Sequence, residues 1–251
     1  MSILRGENIM KSFGGLKVLN GVTFSAEPGE KLALIGPNGA GKSTLINVIG
    51  GQLSATGGSV HLGDRDITRL APNKRLHMGL GRSYQVNNLF FHLSVTDNLM
   101  LALYGASTNH LKMWRPLERR KGLPEEAERL LHTVGLWEKR NEPLHTLSYG
   151  EQRLVELLTA FTCKPRVVLL DEPSAGLPTA EAAVFADVIR KLAGENTTLI
   201  FCAHDMDLVF NLADSIMVLF FGQIFAKGLP AEISANPKVR EIYLGNEEES
   251  C

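Results

Sequence analysis

Residues 36–44 combine glycines, one lysine and two hydroxyls in a pattern that can hold phosphate. Their sequence, GPNGAGKST, fits GxxxxGK[ST] and lies between an apolar stretch at 31–35 and a helical pattern at 42–50. Glycines let backbone N–H groups turn toward an anion, and the helix start adds its positive dipole end. Lys42 can reach the β- and γ-phosphates of a nucleotide, and Ser43 can ligate Mg²⁺. The predicted phosphate-binding residues are Gly36, Pro37, Asn38, Gly39, Ala40, Gly41, Lys42, Ser43 and Thr44.

Two adjacent carboxylates follow a second apolar stretch. The sequence VVLL at 167–170 runs into Asp171 and Glu172. Ligand sites of open α/β sheets lie at the carboxyl edge of the strands, which is where both side chains would emerge. Asp171 would hold Mg²⁺, and Glu172 would orient and polarise an attacking water. An acidic strand end without a role in chemistry is the alternative.

Kinases, GTPases, helicases, recombinases and transporter motors all share a phosphate-binding loop and an acidic strand end, so these two motifs do not choose among them. A third motif does. Residues 147–152, LSYGEQ, resemble the LSGGQ-type signature of ABC (ATP-binding cassette) ATPases and depart from it at Tyr149 and Glu151. Ser148 and Gly150 could form an anion-binding turn at the start of the following helix. An ordinary serine-capped helix start is the alternative.

Further matches to the ABC family extend over nearly the whole chain. Phe13 resembles the aromatic residue that stacks on adenine, Gln85 the glutamine of the Q-loop, His204 the switch histidine, and 174–177 the D-loop. The alternatives are that Phe13 packs in the core, and that Gln85 and His204 are polar residues whose hydrogen bonds are satisfied at strand ends. The resemblance implies an ATPase that uses ATP and Mg²⁺. It implies that the catalytic residues are Glu172, His204 and Gln85, that Phe13, Ser148 and Gly150 contact nucleotide, and that the metal ligands are Ser43, Gln85 and Asp171.

Within the family, the chain resembles the larger ATP-binding subunits of branched-chain amino acid importers. The matching segments are 83–85, 175–177, 204–206, 236–237 and 242–245, whereas Pro178 and Ala203 depart from the pattern. The resemblance predicts the ATP-hydrolysing motor of an importer of branched-chain or related amino acids. ATPases of lipopolysaccharide or lipid export and of urea import share several of these features and remain alternatives. A soluble ABC protein acting on nucleic acid or ribosomes is disfavoured, because such proteins carry two cassettes or a long coiled coil and this chain has one phosphate loop and no heptad run.

The resemblance also implies partners. They are transmembrane permease subunits, a second ABC ATPase subunit in a homo- or heterodimer, and indirectly a periplasmic solute-binding protein, with no nucleic acid. Phe90 and Phe91 could line a groove for a short permease helix, or could fill the junction between sub-domains. The basic segment 112–121 could face lipid or nucleic acid, or form a solvated loop.

The elements that must position these residues indicate an α/β fold. Alternating strand and helix patterns predict a mainly parallel sheet, with an antiparallel β region at the N-terminus and an inserted helical sub-domain. One ABC domain is predicted over 1–251, with a nucleotide-binding core at 1–88 and 165–228, a helical sub-domain at 89–164 and a helical tail at 229–251. Asn20-Gly21 is a turn signal before a strand at 22–24.

Composition sets outer limits on function. A net charge of −1 gives no whole-chain basic signature for nucleic acid, and the three scattered cysteines fit a reducing cytosol. The N-terminus has no signal-peptide pattern, and the longest apolar stretches are strand-sized rather than the roughly 20 residues of a membrane helix. The resemblance to importer ATPases implies permease partners, and together with these limits it predicts a peripheral protein on the cytoplasmic face of the inner or plasma membrane, held there by permease subunits.

Overall fold

The structure is a computed structural model that describes residues 2–83, 89–107 and 122–244. The predictions for Gln85 and for the basic segment 112–121 lie outside these residues. Within the described ranges, the strands are β1 (Leu4–Phe13), β2 (Leu16–Ala26), β3 (Lys31–Ile35), β4 (Gly57–Leu62), β5 (Arg65–Asp66), β6 (Leu80–Arg82), β7 (Val167–Asp171), β8 (Thr198–Cys202), β9 (Ser215–Phe220) and β10 (Gln223–Gly228). The helices there are α1 (Lys42–Gly50), α2 (Pro72–His77), α3 (Val95–Ala106), α4 (Leu123–Thr133), α5 (Tyr149–Phe161), α6 (Thr179–Ala193), α7 (Met206–Leu212), α8 (Pro230–Ala235) and α9 (Pro237–Leu244).

Two sheets organise the chain. Six strands form a sheet in the order β10-β9-β3-β8-β7-β6, in which β9, β3, β8, β7 and β6 pair in parallel and β10 pairs antiparallel with β9. Four strands form an antiparallel sheet in the order β2-β1-β4-β5. The central parallel strands are mostly apolar and buried, as expected for strands covered on both faces, here by α1 and the antiparallel sheet on one side and by α5, α6 and α7 on the other.

One turn expected from the sequence is not a turn. Strand β2 continues through Asn20 and Gly21, and the chain reverses earlier, between Phe13 and Leu16, which face each other across the hairpin. Gly21 has φ 80° and falls in a register shift between β1 and β2. The Asn-Gly pair was a sound signal for positive φ, but a β-bulge requires that conformation as much as a turn does.

Three hydrophobic clusters hold these layers together. The first lies between α1, the antiparallel sheet and one face of the parallel sheet, and the second lies under α5, α6 and α7 on the other face. The third joins α3, α4 and α5, with its buried members between Val95 and Leu158. A separate helical cluster is what an inserted sub-domain requires, although the predicted domain boundaries themselves stay a prediction. None of the described helices is both long and apolar enough to cross a membrane.

Candidate functional site

The carboxyl ends of three neighbouring strands bring most of the predicted site together. Strand β3 leads into the phosphate-binding loop 36–41 (the P-loop), β7 ends at Asp171 and is followed by Glu172, and β8 is followed by His204. Because β3 pairs with β8 and β8 pairs with β7, these segments share one edge of the sheet. Residues far apart in sequence therefore meet at the edge where open parallel sheets place their ligands.

The backbone of the P-loop is shaped for close approach. Gly36 has φ 153°, and a side chain there would collide with the carbonyl oxygen of Leu219. Gly41 has φ 105° and is the N-cap of α1, with no side chain bonded to the free N–H groups and no acidic residue in the first turn. The first turn of α1 thus keeps its donors and its positive dipole end available to an anion.

Lys42 is buried beneath this loop. Its side chain is 6% exposed, and its Nζ donates to the carbonyl oxygens of Gly36 at 2.7 Å and Pro37 at 3.1 Å. Burial lowers the pKa of Lys42, and the nearby carboxylates of Asp171 and Glu172 only partly oppose that shift. A phosphate group bound in the P-loop would supply the negative charge that this ammonium otherwise meets only at a distance.

Ser43 and Asp171 form a pair of oxygen donors beside the loop. The Ser43 hydroxyl donates to Asp171 Oδ1 at 3.2 Å. Burial raises the pKa of Asp171, while the Arg82 guanidinium, whose Nη2 lies 4.0 Å from Asp171 Oδ2, acts in the opposite direction. Mg²⁺ takes oxygen ligands, often one carboxylate with waters and phosphates, and this hydroxyl and carboxylate are two oxygen donors side by side, so these residues fit the predicted cation.

Glu172 and His204 contact each other directly. Glu172 Oε1 lies 3.0 Å from His204 Nε2, and both side chains are partly accessible. Glu172 has φ 49°, a left-handed conformation that is uncommon outside glycine, and its N–H donates to the Cys202 carbonyl at 3.0 Å. The strand end therefore turns this carboxylate away from the buried register of β7 and toward the histidine.

Phe13 lies at the end of β1 and is 47% exposed, which contradicts the alternative that it fills the core. The Nζ of Lys11 lies 4.9 Å from the centroid of its ring. An exposed aromatic ring at the tip of a hairpin can offer a face to a planar ligand.

Ser148 and Gly150 lie elsewhere, at the start of α5 in the helical cluster. Ser148 is the N-cap of α5, where its hydroxyl accepts from the Glu151 N–H at 3.3 Å and its own N–H donates to Glu151 Oε2 at 3.0 Å. Within the described part of the chain, no hydrogen bond or ion pair joins Ser148 to the P-loop. The serine-capped helix start, one of the two readings of this motif, is thus present in the isolated chain.

Arg82 is a site residue that the sequence argument missed. It is the last residue of β6, and besides approaching Asp171 it donates through Nη2 to Asn47 Oδ1 at 2.8 Å, on α1. A cation at the carboxyl end of a buried strand was the available signal, but the position of β6 next to β7 was needed to interpret it.

Comparisons with known proteins agree with this geometry. A sequence profile of the family described as "ABC transporter" matches residues 19–175, and one described as "Branched-chain amino acid ATP-binding cassette transporter" matches residues 223–249. The probable branched-chain amino acid transport ATP-binding protein LivG of Methanocaldococcus jannaschii is 36% identical over 98% of each chain. The high-affinity branched-chain amino acid transport ATP-binding protein BraF of Pseudomonas aeruginosa is 36% identical over 97% of this chain and 98% of its own.

A solved structure leads to the same result. The ADP conformation of an ATP-binding cassette of an ABC transporter superposes with a TM-score of 0.88, at 35% identity, over 98% of this chain and 99% of the other. The predicted fold, a P-loop ATPase of ABC type with a mainly parallel sheet and an antiparallel β region, is thereby confirmed. The resemblance drawn from the sequence motifs is confirmed too, and the chain belongs to the ABC transporter family of ATP-binding cassettes.

Proposed function

We propose that this chain is the ATP-hydrolysing motor subunit of a membrane importer for branched-chain or related amino acids. The observation that supports ATP hydrolysis is the joint placement of the P-loop, Ser43 beside Asp171, and Glu172 beside His204 at one sheet edge. Two observations support the substrate class. The branched-chain family profile matches residues 223–249, and relatives named for branched-chain amino acid transport align over nearly their full length.

Nucleotide binding falls to the P-loop and its surroundings. The free N–H groups of the first turn of α1 would hold the phosphates, Lys42 would exchange its carbonyl partners for the β- and γ-phosphate oxygens, and Phe13 would stack on the base. Ser43 and Asp171 would hold Mg²⁺, with Gln85 from outside the described residues as a third ligand. When bound, Mg²⁺ would neutralise the charge that develops on the phosphate oxygens.

Hydrolysis needs a positioned water and a proton acceptor. The Glu172 carboxylate would accept a hydrogen bond from the water and draw off its proton, and the His204 ring would fix the carboxylate and hold the γ-phosphate. The left-handed backbone at Glu172 and the contact with His204 would position this carboxylate before substrate arrives. Most of the rate gain would come from such positioning and electrostatic stabilisation.

A second cassette would complete the site. Ser148 and Gly150 lie apart from the P-loop of their own chain, so we assign them to the ATP held by a partner cassette packed head to tail. ATP held by both halves would close the pair, and loss of the γ-phosphate would release it. The partner is a second copy or a related subunit.

A cavity of about 330 Å³ between the core and the helical cluster is the place for a permease contact. Phe90 lines it and is 57% exposed, whereas Phe91 packs against the helical cluster. We therefore assign the groove to Phe90, and Phe91 to the junction between the sub-domains. A cytoplasmic helix of a permease would dock over Phe90 and hold this chain at the membrane surface, with the solute-binding protein acting through the permease.

The importer proposal is tested by uptake in cells whose own copy is replaced. Cells with Lys42→Ala should lose uptake of radiolabelled leucine, isoleucine and valine, and Phe90→Ala should reduce it while the purified variant still binds ATP. Uptake of lysine serves as the unrelated control. Normal branched-chain uptake with Lys42→Ala would contradict the proposed solute class and favour the lipid-export or urea-import alternatives.

A further inference from the structure

Helix α5 is attached to the loop at 173–177 that follows Glu172. The Tyr149 hydroxyl donates to the carbonyl oxygen of Ala175 at 3.1 Å, and Arg153 Nη2 donates to the same oxygen at 3.3 Å. Arg153 Nε donates to the Tyr149 hydroxyl at 3.0 Å. Two side chains one helical turn apart thus converge on one backbone carbonyl; we name this arrangement the Ala175 clamp.

The clamp is rigid because its arginine is buried and paired. Arg153 is 8% exposed and Glu156 is 7% exposed, and Arg153 Nη1 donates to Glu156 Oε2 at 2.7 Å. A guanidinium presents its donors in a fixed plane, so anchoring one nitrogen on Glu156 limits how the others can be aimed. The remaining two nitrogens lie toward Tyr149 and Ala175.

Backbone hydrogen bonds connect the clamped loop to Glu172. The Ala175 N–H donates to the Glu172 carbonyl at 3.1 Å, and the Leu177 N–H donates to the Ser174 carbonyl at 3.0 Å. Gly176 has φ 80°, and a Cβ there would lie 3.1 Å from the Tyr149 hydroxyl oxygen, so the ring rests directly on the loop. Movement of α5 would therefore act on the Glu172 carbonyl through the hydrogen bond from Ala175.

The far side of the clamp reaches the cavity next to the site. Glu156 lines the 330 Å³ cavity that also contains Phe90, and it lines a small cavity together with Ser83 and Asp171. A change of α5 at the larger cavity would thus reach Ala175 through two side chains.

We propose that Tyr149 and Arg153 are positioning residues that set the loop 173–177, and through it Glu172, according to the orientation of α5. The inference rests on the proposed function, because it assigns a role in ATP hydrolysis. It gives the tyrosine that departs from the LSGGQ pattern a specific task, which a glycine at that position could not perform.

Hydrogen–deuterium exchange on the purified full chain without nucleotide tests the contact directly. Tyr149→Phe keeps the ring on Gly176 and removes the hydroxyl that donates to the Ala175 carbonyl. Arg153→Lys keeps the positive charge beside Glu156 and removes the planar guanidinium that donates to both Tyr149 and Ala175. Each should speed exchange of the Ala175 and Leu177 amides by roughly 5- to 30-fold while the amides of β7 stay protected. Arg129→Lys is the matched control, since Arg129 pairs with Glu126 at the same i,i+3 spacing on α4.

Steady-state kinetics separate positioning from folding. Both variants should lower kcat for ATP by roughly 5- to 30-fold and leave the dissociation constant for ATP unchanged, because the P-loop is untouched. Unchanged exchange at 173–177 in both variants, or faster exchange spread evenly over the chain, would overturn the proposal. A wild-type chain that neither binds nor hydrolyses ATP would instead overturn the proposed function, which the nucleotide-free exchange data do not depend on.

Discussion

Helices α1 and α5 both begin beside a glycine-containing loop that could bind an anion, yet their first turns are built in opposite ways. Helix α1 starts at a left-handed Gly41, without a side-chain cap or an acidic residue. Helix α5 starts at Ser148, whose hydroxyl and N–H are both bonded to Glu151. The first helix leaves its donors to a ligand, whereas the second satisfies its own.

This difference is the reason why we place the ATP site of a single chain at the first motif and not at the second. At the start of α5, the Ser148 cap and the Glu151 carboxylate already satisfy backbone N–H groups and supply a negative charge, which disfavours a second anion. At the start of α1, the N–H groups have no side-chain cap and lie above a buried lysine, which favours an anion. Under our proposal, the signature loop therefore contacts ATP only after assembly, when a partner cassette brings the phosphates of its own nucleotide next to it. The following variants probe the contrast.

Lys42→Ala should have the largest effect. Removing the buried ammonium should weaken ATP binding by at least roughly 100-fold, since charge-assisted contacts to phosphate are strong and this one lies out of water. Isothermal titration of the folded variant with Mg-ATP measures it. Lys31→Ala is the matched control, because Lys31 Nζ also donates to two carbonyls, those of Gly29 and Gly194, far from the P-loop. Equal ATP affinity of wild type and Lys42→Ala would break the assignment.

Ser148→Ala should have a moderate effect, on stability rather than on ATP binding. Loss of an N-cap serine costs about 1 kcal/mol, which urea unfolding can resolve. Ser94→Ala is the control, since Ser94 caps α3 through the Asp97 N–H at 3.0 Å. Both variants should bind ATP as the wild type does, and only Ser148→Ala should also impair the assembled transporter. Weaker ATP binding by monomeric Ser148→Ala would show that the two loops act within one chain.

Glu151→Gln should have the smallest effect, and one that depends on pH. Burial alone would raise the pKa of Glu151, but hydrogen bonds from Lys139 and Ser148 outweigh it and hold the pKa below its ordinary value of 4.5. A depressed carboxyl pKa contributes stability above pH 4.5 that is lost as pH falls through the folded-state pKa. Wild type should thus be slightly more stable than Glu151→Gln at pH 7, and unfolding curves should converge in acid. A constant difference down to pH 3 would contradict this origin.

The sequence predicted most residues of the candidate site but not the contacts that link them to neighbouring elements. Lys42, Asp171 and Glu172 could be found because each motif follows an apolar strand, and parallel strands deliver their ends to one edge. Arg82 and the Ala175 clamp could not, because they depend on which strand lies beside β7 and on how α5 is rotated over the loop at 173–177. Those facts follow from packing between distant segments, which local patterns do not encode.

Two β-strand features also depend on packing that the sequence does not show. The Asn20-Gly21 signal was correct about positive φ but wrong about a chain reversal, because the partner strand decides whether the extra residue makes a turn or a bulge. Strand β10 was missed since its alternating, half-exposed residues are stabilised as an edge strand only by pairing with β9.

The most direct test of the central claim, that the edge beyond β7 hydrolyses ATP through Glu172, is the Glu172→Gln variant. Phosphate release and ATP binding are measured on the same preparation, with Asp171→Asn as the neighbouring comparison. We predict that Glu172→Gln lowers turnover by roughly 10²–10⁴-fold and retains ATP binding, because the amide cannot accept the proton while Lys42, Ser43 and Asp171 are intact. Asp171→Asn should instead weaken Mg²⁺-dependent binding. Wild-type turnover by Glu172→Gln, or loss of turnover caused by loss of ATP binding, would contradict the account.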